Sequence, residues 1–322
     1  MKKLHLLLAA FLLSLSVLAG CNAANESEEP NTQNQETTEN VEAAFPVTVT
    51  DALGEEVTIE EEPKQIVSLI PSNTEIAFEL GLGDKVVGVT DFDNYPEEVT
   101  SIEKIGGMDF NVEKIISLQP DLVLAHASGA HNSEEGLNQL KNAGIPVFVV
   151  EDATSFEQVY KTIETIGTLT GAKDEAATVV EEMKAKVADI KAKASEIAEA
   201  DQKSVFVEVD PTLYTTGKGT FMDEMLMIIN AKNIIEEEGW PQVSEEAVIE
   251  KNPDVIITTY GYYTPDAVEQ VLSRDGWQDV SAIQTKSVYD VNSDKVTRSG
   301  PRLVEGVEEL AKAIYPDVFA NE

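Results

Sequence analysis

The run DEAATVVEEMKAKVADIKAKASEIAEA, from Asp174 to Ala200, decides how the rest of the chain is read. It contains neither proline nor glycine, and Val180, Met183, Val187, Ile190, Ala194 and Ile197 step by three and four. That spacing draws one apolar stripe along a helix and leaves Glu, Lys and Asp on its other faces. At about 1.5 Å per residue the run reaches roughly 40 Å, longer than one small core requires. The stripe is too short and its edges too mixed in charge for a coiled-coil seam. With α/β-patterned sequence on both sides, the helix reads as a stiff strut between two lobes.

The bulk properties agree. A chain of 322 residues exceeds one ordinary core, and 42% hydrophobic content is enough to fill two. A formal charge of −36 opposes binding to nucleic acid, whose phosphates carry the same sign. Arginine occurs only at Arg274, Arg298 and Arg302, so each is a candidate anchor for carboxylate or phosphate.

The N-terminus reads as an address. Lys2 and Lys3 precede an apolar run from Leu4 to Leu18, and Leu18-Ala19-Gly20-Cys21 resembles the lipobox of bacterial lipoproteins. The resemblance implies cleavage before Cys21 and its lipidation; an uncleaved anchor and a plain signal peptide are the alternatives. Cys21 is the only cysteine in the chain, so no internal disulfide can form. Residues 21–45, rich in Glu, Asn, Thr and Gln, read as an acidic solvated tether.

Folding signals begin with Val47-Thr48-Val49 and Val57-Thr58-Ile59, which alternate around Asp51-Ala52-Leu53-Gly54 as a hairpin. Buried-strand runs follow at 66–70, 86–89, 122–125 and 147–150, with a helix from Phe156 to Leu169. Ser72 and Glu75 have capping-box spacing for a helix that stops at Gly81. Beyond the strut come strand runs at 205–209, 255–259 and 288–291 and a helix from Phe221 to Ile229. The expected fold is α/β, two Rossmann-like lobes (46–170 and 202–322) joined by one long interlobe helix (171–201).

One unit occurs twice. Glu113-x-x-Ile116-x-x-x-Pro120-Asp121-Leu122 in the first lobe matches Glu246-x-x-Ile249-x-x-x-Pro253-Asp254-Val255 in the second. Each copy is a short helix, a proline break and a strand, with a glutamate where the helix dipole favours a carboxylate.

Catalytic signatures are missing: there is no Gly-x-Ser-x-Gly elbow, Walker A loop or His-Glu-x-x-His. Thr216-Gly217-Lys218-Gly219-Thr220 reads as a tight turn before a helix rather than a phosphate loop. His126 and His131 follow the 122–125 strand, where α/β sheets place ligands, but no third strong metal ligand stands beside them. Aromatic residues gather after strands in both lobes: Phe92 and Tyr95, Tyr214, Trp240, then Tyr260, Tyr262 and Tyr263. Such rings either pack under their own loops or line a cleft for a large, flat ligand with a polar rim.

Taken together, the lipobox, the Thr50-Asp51-Ala52-Leu53-Gly54 hairpin, Pro71-Ser72-Asn73-Thr74-Glu75, the duplicated Pro-Asp units and the strut resemble the substrate-binding proteins of ABC importers. The branch is the one with a single rigid interlobe helix, which handles cobalamin, iron-siderophores, haem and some metals. Asp93-Asn94-Tyr95-Pro96 and Trp240-Pro241-Gln242-Val243-Ser244 are similar to segments of its vitamin B12-binding members. The resemblance implies ligand contacts at Tyr95, Trp240, Tyr214 and Arg298, and permease docking through Glu113 and Glu246. His126, Tyr260 and Tyr262 join the ligand candidates. Gly106-Gly107-Met108 and His126 stand where those members carry tryptophans, which implies a wider or differently polar pocket.

The expected function is therefore capture of a cobalamin-like chelate without chemistry, by an extracytoplasmic, lipid-anchored monomer that hands it to an ABC permease and its ATPase. A ferric siderophore or haem is the alternative ligand. A surface metalloenzyme or metal chaperone built on His126 and His131, and a ligand-sensing lipoprotein, are the alternatives in other classes.

Overall fold

The computed structural model describes residues 45–319; the leader, Cys21 and all of the tether but its last residue lie outside the described residues. An antiparallel hairpin, β1 (Val47–Thr50) and β2 (Glu56–Ile59), opens the described chain with Val47 opposite Ile59. Asp51 closes its turn by accepting the amides of Leu53 and Glu55 at 2.9 Å each.

The first lobe then runs β3 (Ile66–Ser68), α1 (Pro71–Glu79), β4 (Val86–Val89), β5 (Glu103–Lys104), α2 (Val112–Leu118), β6 (Leu122–His126), α3 (Ala127–Ala130), α4 (Glu134–Asn142), β7 (Val147–Val150) and α5 (Phe156–Thr170). Its five strands are all parallel, in the order β5-β4-β3-β6-β7. Central strands β3 and β6 are buried at every position, which is why they read as near-continuous apolar runs, each closing on one buried polar residue, Ser68 or His126.

The strut is α6 (Lys173–Ala194), 22 residues and about 33 Å long. Val180, Met183, Ile190 and Ala194 of the expected stripe are buried, joined by Ala176 and Val179. The helix stops one to two turns earlier than the apolar spacing suggests. Asn230 donates to the carbonyls of Ala194 and Ile197 at 3.3 and 3.2 Å, satisfying acceptors that a continuing helix would have used. Ile197 still packs against the core, from the turn that follows.

The second lobe holds β8 (Ser204–Glu208), α7 (Phe221–Ile228), β9 (Lys232–Asn233), α8 (Glu245–Lys251), β10 (Val255–Thr258), α9 (Ala267–Leu272), α10 (Ser281–Gln284), β11 (Val288–Asp290), α11 (Ser293–Thr297), α12 (Leu303–Ile314) and α13 (Pro316–Phe319). Its four parallel strands run in the order β11-β10-β8-β9. One apolar core passes from the first sheet through α5 and α6 to α7 and α12. The lobes therefore share buried surface, a connection stiffer than a flexible linker.

The duplicated units occupy matching places. Asp121 accepts the amides of Lys64 and Gln65, just ahead of β3, and Asp254 accepts the amide of Ser204, which opens β8. Gln119 and Asn252 end the two short helices in the left-handed region, at φ 50° and 48°. The repeated Pro-Asp pair thus stops a helix and pins the neighbouring strand in each lobe.

The capping-box reading of Ser72 and Glu75 is overturned. Helix α1 begins at Pro71 with Ile70 as N-cap and no side-chain cap, since proline at the first position needs no amide partner. Glu75 is buried and spends its carboxylate elsewhere.

Candidate functional site

Because every strand of both sheets runs parallel to its neighbours, the loops that follow them gather at one edge of each sheet. From the first lobe these bring Ile70, Pro71, His126 and Asp152; from the second, Thr220, Trp240 and Arg298. Together they line a cavity of about 390 Å³ between the lobes. A second cavity of about 350 Å³ adjoins it within the first lobe, apolar in character, with Phe92, Met108, Phe110 and Leu137 on its wall. Ile70, Pro71, His126 and Ser128 belong to both.

Behind the interlobe cavity sits a clasp. Glu75 Oε1 accepts from Arg298 Nη1 and from Arg302 Nη2, both at 2.7 Å, and its Oε2 accepts from Arg302 Nε at 2.9 Å. Arg298 also reaches Asn94 Oδ1 at 2.8 Å and Asp294 Oδ1 at 3.0 Å, while Asn94 donates to Asp294 at 2.9 Å. Glu75 and Asn94 belong to the first lobe, and the arginines and Asp294 to the second. A carboxylate removed from water is tolerable only when paired and bonded this fully. The Arg302 guanidinium also lies 4.0 Å from the centre of the Tyr95 ring, a cation–π contact.

His126 ends β6 and caps α3. Its Nδ1 accepts the Ser128 amide at 3.3 Å and lies 2.8 Å from the Ser128 hydroxyl, while its buried Nε2 has no protein partner. Burial lowers the ring's pKa, opposed in part by the charge of Asp152, so the imidazole is neutral at pH 7. Among the described residues no group of three or more His, Cys, Asp or Glu is placed to hold a metal ion, and His131 is exposed. The metal reading built on the two histidines gains no third ligand.

Trp240 is half exposed and is carried on a rigid frame. Thr215 donates to Pro241 O at 2.9 Å and Gly217 to Gly239 O at 2.8 Å, while Tyr214 bridges Gln242. A Cβ at residue 217 would meet Glu237 O at 2.1 Å, so only glycine allows the two segments to approach. Thr220 then caps α7 by accepting the Asp223 amide, so the glycine-flanked stretch is indeed a turn into a helix.

Comparison with known proteins decides the class. The model of the periplasmic binding protein family matches residues 66–295. The chain belongs to that family. It is 53% identical over 322 residues to the ABC transporter substrate-binding lipoprotein YvrC of Bacillus subtilis, covering 99% of each. A cobalamin-binding protein of Halobacterium salinarum shares 32% identity over 281 residues, 84% of this chain and 75% of that one. Among solved structures, a possible iron-binding (periplasmic solute-binding) protein from Staphylococcus epidermidis superposes with a TM-score of 0.72 at 37% identity, covering 79% of this chain and all of that one. This periplasmic binding protein is thus a substrate-binding component of an ABC importer, a solute carrier rather than an enzyme, working with a permease and its ATPase.

Within that frame the expected site residues divide. His126, Trp240 and Arg298 line one cavity. Tyr95 is in neither cavity lining; its ring lies on Arg302. Tyr214, 41% exposed, supports the Trp240 segment. Tyr262, 77% exposed, stacks edge-on against Tyr263 with centroids 4.8 Å apart. Tyr260 is placed differently from the expectation. It is 1% exposed and its hydroxyl donates to the buried Glu208 at 2.6 Å, so it braces the loop instead of facing a ligand. Arg274 completes that buried cluster with two 2.8 Å bonds to Glu208 while lying 4.5 Å from the Trp277 ring centre.

Glu113 and Glu246 occupy the second position of α2 and α8, both exposed. Bonds from its own amide and from Ser244 hold the Glu246 carboxyl below its ordinary value. The roles of Glu75, Asp152 and Asp294 around the cleft escaped sequence reading. Single acidic residues in so acidic a chain carry no local mark of what they face.

Proposed function

We propose that the chain is a lipid-anchored receptor that holds a cobalamin-like chelate between its lobes, 46–170 and 202–322, and delivers it unchanged to an ABC permease. The observation that carries this reading is the interlobe cavity lined by His126, Trp240 and Arg298, with Tyr95 on the clasp beside it. Its volume lies in the range of small-molecule sites, and the adjoining apolar recess offers room for a bulky ligand. The likeness to a cobalamin-binding relative supports the choice of ligand. An iron-siderophore or haem is the second reading, favoured by the likeness to the S. epidermidis protein and by the room that Gly107, without a side chain, leaves in the recess wall.

Anchoring at Cys21 would place the receptor on the outer face of the cell membrane. No helix among the described residues is long and apolar enough to cross it. Glu113 and Glu246 are the proposed contacts with the two halves of the permease, and the receptor acts as a monomer.

Titration with cyanocobalamin, followed through tryptophan emission, tests the assignment. Trp240 should report ligand entry, whereas fully buried Trp277 should not. Trp240→Phe should remove the signal and weaken binding about 10-fold or more, as for a central aromatic anchor. Haem or a ferric hydroxamate binding tightly while cyanocobalamin does not would replace the ligand and keep the receptor.

A further inference from the structure

The sequence contains three arginines, and only one of them, Arg298, lines the interlobe cavity. That cation is spent. Nη1 donates to Glu75 and Asn94, and Nη2 is 3.0 Å from Asp294. Arg302 behind it is bidentate on Glu75. Two arginines thus face two carboxylates, and the clasp is neutral.

What remains charged on the walls is acidic. Asp152 lines the interlobe cavity and Asp109 the adjoining recess, and among the described residues neither lining contains a lysine. His126, neutral at pH 7, adds no charge. Helix N-termini at Pro71 and Phe221 also open on the cavity and contribute partial positive charge. Each amounts to about half a unit, enough to favour amide, hydroxyl or hydroxamate oxygens but not to hold a polyanion. The chain as a whole carries −36, which repels anions before they arrive.

We propose that the cleft is a charge filter, admitting metal chelates without net negative charge, with Asp152 and the neutralisation of Arg298 by Glu75 and Asp294 as its specificity-determining features. This rests on the receptor reading above and narrows it. Uncharged or cationic corrinoids and neutral ferric trihydroxamates pass; the dicarboxylate haem and trianionic ferric tris-catecholates do not.

The test is calorimetric titration of the full chain with four probes: cyanocobalamin, a neutral ferric trihydroxamate, haem and a ferric tris-catecholate. At least one uncharged probe should bind about 100-fold or more tightly than the tris-catecholate, with the gap narrowing as salt is raised. Asp152→Asn, at an exposed position that leaves packing untouched, should narrow the gap about 10-fold. Asp294→Asn should narrow it further by leaving one positive charge of the clasp uncompensated. A wild-type chain that binds the tris-catecholate or haem as tightly as the uncharged probes overturns the filter and leaves the receptor standing. Binding of none of the four overturns the receptor reading, and the filter with it. Charge variants that do not alter the gap overturn the assigned residues.

Discussion

Arg298 donates to Glu75 across 2.7 Å, joining residues 223 positions apart and belonging to different lobes. Both are nearly buried, Glu75 with 2% and Arg298 with 14% of the side chain exposed. The bond lies just behind the cavity, so the contact that fastens the lobes also spends the one arginine on its wall. Under the proposed charge filter, fold stability and ligand choice meet in one ion pair.

Removing the shared carboxylate should therefore be expensive. Glu75→Ala leaves two part-buried guanidinium groups short of their partner, a change worth about 3–5 kcal/mol. Urea denaturation should show that loss in the midpoint with little change in slope. A loss below about 1 kcal/mol would mean that the clasp is only a surface pair.

Docking should separate from capture. The double charge reversal Glu113→Lys with Glu246→Lys changes two exposed helix starts outside the cavity linings. Cellular uptake of the ligand should fall to background while affinity of the isolated receptor stays within about twofold. Loss of affinity instead would show that these glutamates serve the cleft.

His126 makes a pH prediction with a defined sign. Burial lowers its folded pKa beneath the ordinary 6.5, so on acidification the unfolded chain binds a proton first. The stability this neutral ring contributes is fully present above about pH 6.5 and is lost as pH falls from there towards the folded value. His126→Asn keeps a side chain able to cap α3 and should flatten that part of the curve. Denaturation at pH 7.5, 6.5 and 5.5 gives the comparison, and parallel curves for both proteins would refute the assignment.

Tyr260→Phe tests the relocation of that residue. It removes one hydroxyl bond to buried Glu208 and should cost about 1.5 kcal/mol. Ligand affinity should not change. A large drop in affinity at unchanged stability would return Tyr260 to the binding surface.

The strands and the strut were legible because each follows from a local pattern. β3, β6 and β10 are mostly apolar runs fully buried on both faces, and α6 keeps its three-and-four spacing. Edge strands β5 and β9 were not, since Glu103–Lys104 and Lys232–Asn233 are two polar residues each. Helix α12 carried a readable stripe in Leu303, Val304, Val307, Leu310, Ala311 and Ile314, all buried, and sequence reading passed it over.

The site divided along the same line. Trp240, His126 and Arg298 were reachable because each stands at the end of a strand or in a loop of recognisable sequence, and loops after parallel strands converge. Whether a side chain faces the cleft or its own loop was decided by contacts between segments far apart in the chain. Tyr260 turned inward because Glu208, 52 positions earlier, offered a buried acceptor.

The amino-acid order alone determined the alternation of strand and helix, the duplicated Pro-Asp units, the rod between the lobes and a chain too acidic for nucleic acid. These depend on periodicity, backbone stiffness and summed charge, which are properties of neighbouring residues. Only the tertiary structure decided that Glu75 neutralises Arg298, that α6 ends at Ala194 beneath Asn230, and that the described residues leave the cavity wall without an unpaired cation. Such outcomes depend on which distant groups share a space from which water has been excluded.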